Sequence, residues 1–267
     1  MRFSIVVPVL NEAGNVRPLL AEIDRAMADR GAYEIIYVDD GSDDGTGCEL
    51  HEARDSHPAL RVLRHARRSG QSGALLSGVR AARAPWILTL DGDGQNNPAD
   101  IPLLIERLAE RGDGDEPCLL IGHRLHRRDG ALRYWSSRIA NAVRARLLRD
   151  GTPDTGCGLK LFPREQFLAL PAFDHMHRFI PALMQRQGVP VESIAVGHRR
   201  RLRGTSKYGL HNRLWVGLID MVGVMWLQRR RLDGVLPRDG LLARCGDLLG
   251  VYWLRCRPCG VSPEEER

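Results

Sequence analysis

Five apolar runs of strand length punctuate the first 121 residues, and most of the stretches between them carry apolar residues at helical spacing. That alternation constrains the fold more than any other feature of the chain. The runs are 3–9 (FSIVVPV), 34–38 (EIIYV), 60–63, 86–90 and 118–121. Helical patterns occupy 12–29, with Val16, Leu19, Leu20, Ile23, Ala26 and Met27 on one stripe, then 70–82, rich in small residues, and 99–110, where Pro98 suits a helix start. Strands alternating with helices predict an α/β fold around a mostly parallel sheet with right-handed crossovers. The strands are almost continuously apolar, so helices should cover both faces. Ligands of such sheets bind beyond the carboxyl ends of the strands, and polar clusters occupy those ends.

The pattern changes after Gly122. Residues 132–148 form a basic amphipathic helix candidate, 156–162 a strand, 177–187 a helix, 191–196 a strand and 210–228 one or two apolar helices. The last forty residues mix Gly, Pro, Arg and Cys without period. A chain of 267 residues with 43% hydrophobic content can build one large core. The expected organisation is a catalytic domain over 1–210, followed by amphipathic helices and an irregular basic tail over 211–267. The longest apolar stretch, 214–227, contains Asp220 and falls short of the roughly 20 residues that span a bilayer, so no transmembrane helix is expected. The opening MRFS runs straight into a strand and does not read as a signal peptide. Six scattered cysteines point to a reducing compartment, and Cys256 and Cys259 form a lone CxxC in the tail.

The chemistry concentrates after the fourth strand, in Asp91-Gly92-Asp93-Gly94-Gln95. Two carboxylates two residues apart, with a carboxamide two further on, can converge on one hard divalent cation and leave positions open for phosphate oxygens. Asn11 and Glu12 follow strand one, and Asp39 and Asp40 follow strand two, on the same edge of a parallel sheet. The bland reading is helix capping by Asn11 and an Asp-Gly turn at Asp40-Gly41. A formal net charge of +6 and a pI near 9.3 call for an anionic partner: nucleic acid, a nucleotide or an acidic membrane surface. No stacking aromatic array accompanies the arginines, so nucleic acid is not expected.

PVLNE, VDDGSDDGT, GQSGALLSG and LDGDGQNNP occur in that order, and together they resemble family 2 glycosyltransferases of the GT-A fold, dolichyl-phosphate mannosyltransferase-like enzymes in particular, over about the first 230 residues. The resemblance implies that Pro8, Leu10, Glu12, Val38, Asp39 and Asp40 frame a nucleotide, that Gly92 contacts it through its backbone, and that Asp91, Asp93 and Gln95 hold Mg²⁺ or Mn²⁺. Gly92 and Gly94 stand where related enzymes often carry Ala and Leu, which should loosen the turn. Ile121-Gly122-His123-Arg124 resembles a strand end whose arginine contacts phosphate. Asp154 to Lys160 (DTGCGLK) resembles the acceptor side of the site, and Arg203 to Tyr208 (RGTSKY) a motif whose Arg203 and Lys207 supply cations.

The implied reaction is inverting transfer of a hexose of mannose or glucose type from a nucleotide diphosphate sugar, such as GDP-mannose or UDP-glucose, to a polyprenyl phosphate. An ionised phosphate nucleophile needs no general base; Asp154 would orient the acceptor or sugar, and would be the base if the acceptor were an alcohol. Several anions in one site demand neutralisation, by the metal, Arg124, Arg203 and Lys207. Trp135, Trp215 and Trp226 among Arg133, Arg138, Arg144, Arg146, Arg149 and 229–231 suit helices at an anionic interface, placing the protein peripherally on the cytoplasmic face, where a membrane-protein partner is conceivable. Competing readings are a sugar-hydroxyl transferase, a nucleotidyltransferase, which usually shows a Gly-rich start, and a silent nucleotide-sugar-binding module.

Overall fold

The computed structural model describes residues 1–112, 116–124, 144, 146–148, 150–199, 201 and 210–230, without the side chains of 210–216. The helix expected over 132–148 lies largely outside the described residues, as do Arg203, Lys207 and the tail with its CxxC. Seven strands make up one sheet: β1 (Phe3–Val9), β2 (Tyr33–Asp39), β3 (Leu60–Arg64), β4 (Trp86–Thr89), β5 (Leu119–Arg124), β6 (Lys160–Pro163) and β7 (Val191–Val196), in the order β3-β2-β1-β4-β6-β5-β7. Six run parallel, and β6 alone runs against both β4 and β5.

Strand side chains alternate between two cores, as the period of two requires. Ile5, Val7, Ile35, Tyr37, Leu88 and Leu120 point into one core, and Val6, Ile36, Val38, Ile87 and Leu119 into the other. The first core is closed by α1 (Val16–Met27), α2 (Thr46–Ser56) and α4 (Ile101–Glu110). Leu19, Leu20, Ile23 and Met27 of α1 are almost wholly buried there, a gross gain of about 1.5–3 kcal/mol each. The second core is closed by α3 (Gly70–Ala81), α5 (Arg164–Leu168), α6 (Ile180–Arg186) and α7 (Leu210–Arg229). Small residues let α3 lie close on the sheet. A Cβ on Gly78 would overlap Val6 Cγ1 and stand 3.1 Å from Val38 Cγ2.

Four elements differ from expectation, among them the helix expected over 177–187, which divides into a 3₁₀ turn, Met176–Arg178, and α6. The helix α2 escaped notice because only Thr46, Leu50 and Ala53 are buried along it, too few to make a stripe. The helix expected over 99–110 begins as a 3₁₀ turn, Pro98–Asp100, whose first amide side is capped by Asn97 Oδ1 accepting from Ala99 N at 3.3 Å. The strand expected over 156–162 starts only at Lys160, because Gly156 to Leu159 form a loop seated on the turn after β4. Reversal of β6 follows from its register, Thr89 opposite Lys160 and Trp86 opposite Pro163.

The helix α7 is a single element, with Met221 and Val224 buried. It is held by Arg186 Nε donating to Leu227 O at 2.9 Å and Gln228 Nε2 to Leu148 O at 2.9 Å. Among the described residues no helix is long and apolar enough to cross a membrane. The chain builds β1, β2 and β3 in one direction and then returns to place β4 on the far side of β1. The carboxyl ends of β1 and β4 therefore flank a topological switch point, where such sheets bind ligands.

Candidate active site

Asp91 leaves the end of β4 at that switch point. Its Oδ1 accepts a hydrogen bond from Gln71 Nε2, at the start of α3, at 2.9 Å, and its amide donates to Asn96 Oδ1 at 3.2 Å. Asp93 Oδ1 accepts from Gln95 N at 3.0 Å, which closes the turn. Gly92 corrects the expectation of a loosened turn: a Cβ there would overlap Val9 Cγ1 and lie 3.2 Å from Pro8 O, so the glycine lets the turn pack tightly on β1. Gly94 does supply the left-handed step, at φ +72°.

Burial and the neighbouring Asp93 charge push the Asp91 carboxyl up to about 6, against the opposing pull of Lys160, Arg124 and the Gln71 hydrogen bond. A carboxylate destabilised by a second carboxylate is a group whose ionised form a divalent cation would favour. Among the described residues no cluster of three or more His, Cys, Asp and Glu converges as a metal site. Two carboxylates with the Gln95 amide nevertheless fit Mg²⁺ or Mn²⁺, which retain water or phosphate oxygens in their remaining positions.

The loop before β6 closes the other wall. Asp154 pairs with Arg124, at the end of β5, through two parallel hydrogen bonds of 2.6 and 2.8 Å, and both side chains are largely buried. That ion pair, Asp91 and the buried Lys160 lie at the rim shared by β4, β5 and β6. Lys160 Nζ donates to Cys157 O, Thr89 Oγ1 donates to Gly158 O at 2.6 Å, and Asn96 Nδ2 lies 3.6 Å from Cys157 Sγ. Gly158 presses on the turn: a Cβ there would overlap the Asp91 carboxylate and stand 2.6 Å from Asn96 Oδ1. Buried Arg144 supports the loop by donating to Thr152 O at 2.7 Å, with Nε 3.5 Å from Asp150 Oδ2. Arg144 therefore does not belong to the arginines expected at a membrane interface.

The ends of β1 and β2 are tied to one another. Asn11, at φ +51°, does not cap α1; its amide donates to Ser42 Oγ at 2.9 Å, and its side chain exchanges hydrogen bonds with Asp43 of 2.5 and 3.0 Å. Glu12 is buried, ion-paired with Arg201 and accepting from Asn15 Nδ2 at 2.8 Å. Val38 is wholly enclosed in the second core, and buried Asp39 accepts from Ser42 N at 2.8 Å and lies 3.5 Å from Arg64 Nε. Asp40 Oδ1 and Oδ2 accept from Ser69 N and Gly70 N, both at 2.8 Å, and His65 Nδ1 lies 2.8 Å from Oδ1. Asp40 thus fixes the start of α3, and with it Gln71. Pro8 and Leu10 are half-buried at the end of β1.

The basic segment after β7 is not simply a solvated charge run. Arg199 N donates to Gln95 O at 3.0 Å, and its guanidinium pairs with Glu22 at 2.6 Å. Arg199 is in this way brought alongside the acidic turn, while Arg203 and Lys207 lie outside the described residues. Gln71, Asn96 and Lys160 were not singled out from sequence for a role. Their place in the GQSGALLSG, LDGDGQNNP and DTGCGLK segments was the only signal available.

A sheet covered on both faces, with an acidic turn at its switch point and a buried arginine–aspartate pair beside it, has the GT-A fold of known glycosyltransferases. The sequence matches the family described as "Glycosyl transferase family 2" over residues 4–169. The chain belongs to that family and is a family 2 glycosyltransferase. It is 37% identical over 237 residues to the dodecaprenyl-phosphate galacturonate synthase of Rhizobium johnstonii, covering 86% of this chain and 68% of that one. It is 34% identical over 258 residues to the undecaprenyl-phosphate 4-deoxy-4-formamido-L-arabinose transferase of Pseudomonas aeruginosa, covering 95% and 73%. Solved structures share the fold: glucosyl-3-phosphoglycerate synthase from Mycobacterium tuberculosis in complex with UDP (TM-score 0.60, 18% identity, 87% of this chain and 82% of that one) and a mannosyltransferase from Pyrobaculum calidifontis in complex with GDP-Man and Mn²⁺ (0.58, 22%, 88% and 66%).

Proposed function

We propose that this enzyme moves a glycosyl group from a nucleotide diphosphate sugar to a polyprenyl phosphate at a membrane surface, inverting the anomeric centre. The observation that carries the reading is the buried Arg124–Asp154 pair beside the Asp91–Asp93 turn, in a chain whose relatives are named for transfer to dodecaprenyl and undecaprenyl phosphate. Asp91, Asp93 and Gln95 would hold Mg²⁺ or Mn²⁺, the latter the ion bound by the Pyrobaculum mannosyltransferase. When bound, that ion supplies charge neutralisation for the leaving diphosphate.

The chain's own residues do the rest. Pro8, Leu10 and Glu12 line the nucleotide side, and Asp40 acts by holding α3 and Gln71 in register with Asp91. Arg124, Arg203 and Lys207 neutralise phosphates. An ionised acceptor phosphate attacks without a base, and Asp154, bound in two places by Arg124, orients rather than accepts a proton. Residues 1–210 carry catalysis and 211–267 the contact with the cytoplasmic face of the membrane. The names of the relatives favour galacturonate or a formamido-arabinose as donor sugars beside mannose and glucose.

The test is transfer of radiolabelled sugar from GDP-mannose, UDP-glucose, UDP-galacturonate and UDP-4-deoxy-4-formamido-L-arabinose to undecaprenyl phosphate, with Mg²⁺ or Mn²⁺. One donor should give a lipid-linked product, and Asp93→Ala should lower the rate by about a hundredfold or more. Metal-dependent donor binding with no lipid product from any donor would replace the phosphate acceptor by a sugar hydroxyl.

A further inference from the structure

The first turn of α3 carries Gln71, whose side chain reaches Asp91, and that turn is gripped from two sides. On one side Asp40 accepts from the Ser69 and Gly70 amides. On the other stands His177, in the 3₁₀ turn Met176–Arg178. Its ring Nδ1 lies 2.8 Å from Ser72 Oγ, and its backbone amide donates to the same oxygen at 3.2 Å. Ser72 is 3% exposed, and a hydroxyl so buried needs a partner within the protein.

The turn that presents His177 is itself anchored. Met176 and Phe179 are buried in the core that also takes Met221 and Val224 of α7. His175 holds a left-handed backbone, φ +63°, a conformation that a residue with a Cβ keeps where its surroundings fix it. Its amide donates to Asp174 Oδ1 at 2.8 Å, and its ring Nδ1 lies 3.2 Å from Asp220 Oδ2 of α7. Asp174 Oδ1 would stand 3.5 Å from a Cβ on Gly70, so the turn meets α3 at Gly70 as well as at Ser72.

We propose that His177 is a positioning residue for glycosyl transfer: by clasping Ser72 it fixes the first turn of α3 and so holds the Gln71 amide on Asp91. This rests on the reading above that transfer takes place at the Asp91 turn. Ser72 and Gln71 are adjacent, so a shift of about 1 Å at the hydroxyl carries the Gln71 amide beyond hydrogen-bond range of Asp91. Misplacement of that size can cost about a hundredfold in rate.

Three variants of the full chain test this. His177→Phe keeps a ring without the nitrogen, His177→Asn has an amide that can take the place of Nδ1, and Ser72→Ala removes the hydroxyl. Transfer to undecaprenyl phosphate is measured with whichever of GDP-mannose, UDP-glucose, UDP-galacturonate and UDP-4-deoxy-4-formamido-L-arabinose the wild type uses, beside hydrogen exchange of residues 69–76. His177→Phe and Ser72→Ala should each lower kcat about tenfold or more, with KM for the donor moving less than about threefold. His177→Asn should restore most of the rate. Added to Gln71→Ala, His177→Phe should lower kcat no further, because both remove the same contact; a merely structural role would multiply the two losses. Amides of 69–76 should exchange about tenfold faster in His177→Phe and Ser72→Ala, with exchange in β1 and β2 unchanged.

A wild-type rate in folded His177→Phe or in Ser72→Ala overturns the inference. So does a loss in His177→Asn as deep as in His177→Phe, or a loss that multiplies with that of Gln71→Ala. If the wild type transfers to no lipid phosphate, the acceptor reading falls and hydrogen exchange alone decides: unchanged exchange at 69–76 in Ser72→Ala overturns the inference, and faster exchange there sustains it.

Discussion

Asp91 holds its proton more tightly in the folded chain than in the unfolded one, because its carboxyl is raised from 3.8 to about 6. That contribution to stability is complete below about pH 4 and is lost as the pH rises through about 6. Partial solvent contact trims the loss to on the order of 2 kcal/mol. Urea denaturation of the metal-free protein should show this decline, and Asp91→Asn should flatten it. The Arg124–Asp154 pair makes a second demand. Arg124→Met leaves a buried carboxylate unpaired and should cost about 3 kcal/mol, most of it recovered in the double variant Arg124→Met, Asp154→Asn. At this scale the sequence made Asp91 and Asp93 visible at a strand end, whereas Arg124 and Asp154 were pointed to by the family resemblance of their segments. Val38, Asp39 and Asp40 stand on the expected edge, and the burial of their side chains there, with Asp39 bound by Ser42 N and Asp40 by Ser69 N and Gly70 N, could not be read from the sequence. Gln71 and Lys160 stayed hidden because their partners are remote in sequence, 20 residues away for Gln71.

Elements meet the site through glycines, and two of them separate stability from activity. Gly158→Ala would push the loop before β6 off Asp91, so transfer should fall about a hundredfold or more with a melting loss of only about 1–3 kcal/mol. Gly78→Ala would lift α3 from Val6 and Val38 and should cost a similar 1–3 kcal/mol while sparing donor affinity in the folded fraction. Thermal melts paired with donor binding distinguish the two. Periodicity revealed β1 to β4, α1, α3 and β7 because each presents an apolar run or stripe. It missed α2, which buries little, and it gave no direction for β6, since a four-residue strand reads identically either way round.

Across the whole molecule, α7 leaves an apolar face without cover among the described residues: Ile219 is 71% exposed, Val222 62% and Trp226 58%, and the Arg230 guanidinium lies 5.9 Å from the Trp226 ring. Arg146, Arg229 and Arg230 are exposed as well. Partitioning onto phosphatidylglycerol vesicles, followed by sedimentation, should fall about tenfold or more in the double variant Ile219→Asp, Trp226→Asp. Unchanged partitioning would remove this face from the membrane contact. Length, composition and strand spacing disclosed the doubly covered sheet, but the exposed face of α7 could not be told from a buried one until Met221 and Val224 were seen to take the other side.

The reversed β6 has a bearing on how such enzymes diversify. Because it enters the sheet at the rim where its neighbours leave, the stretch between β5 and β6 begins and ends on the same rim. On the reading proposed above, the strand ends assigned to the donor, those of β1 to β4, are complete before that stretch starts. Chain inserted between Arg124 and Lys160 would leave the sheet order as it is, so under that reading the acceptor side could vary while the donor side stays the same.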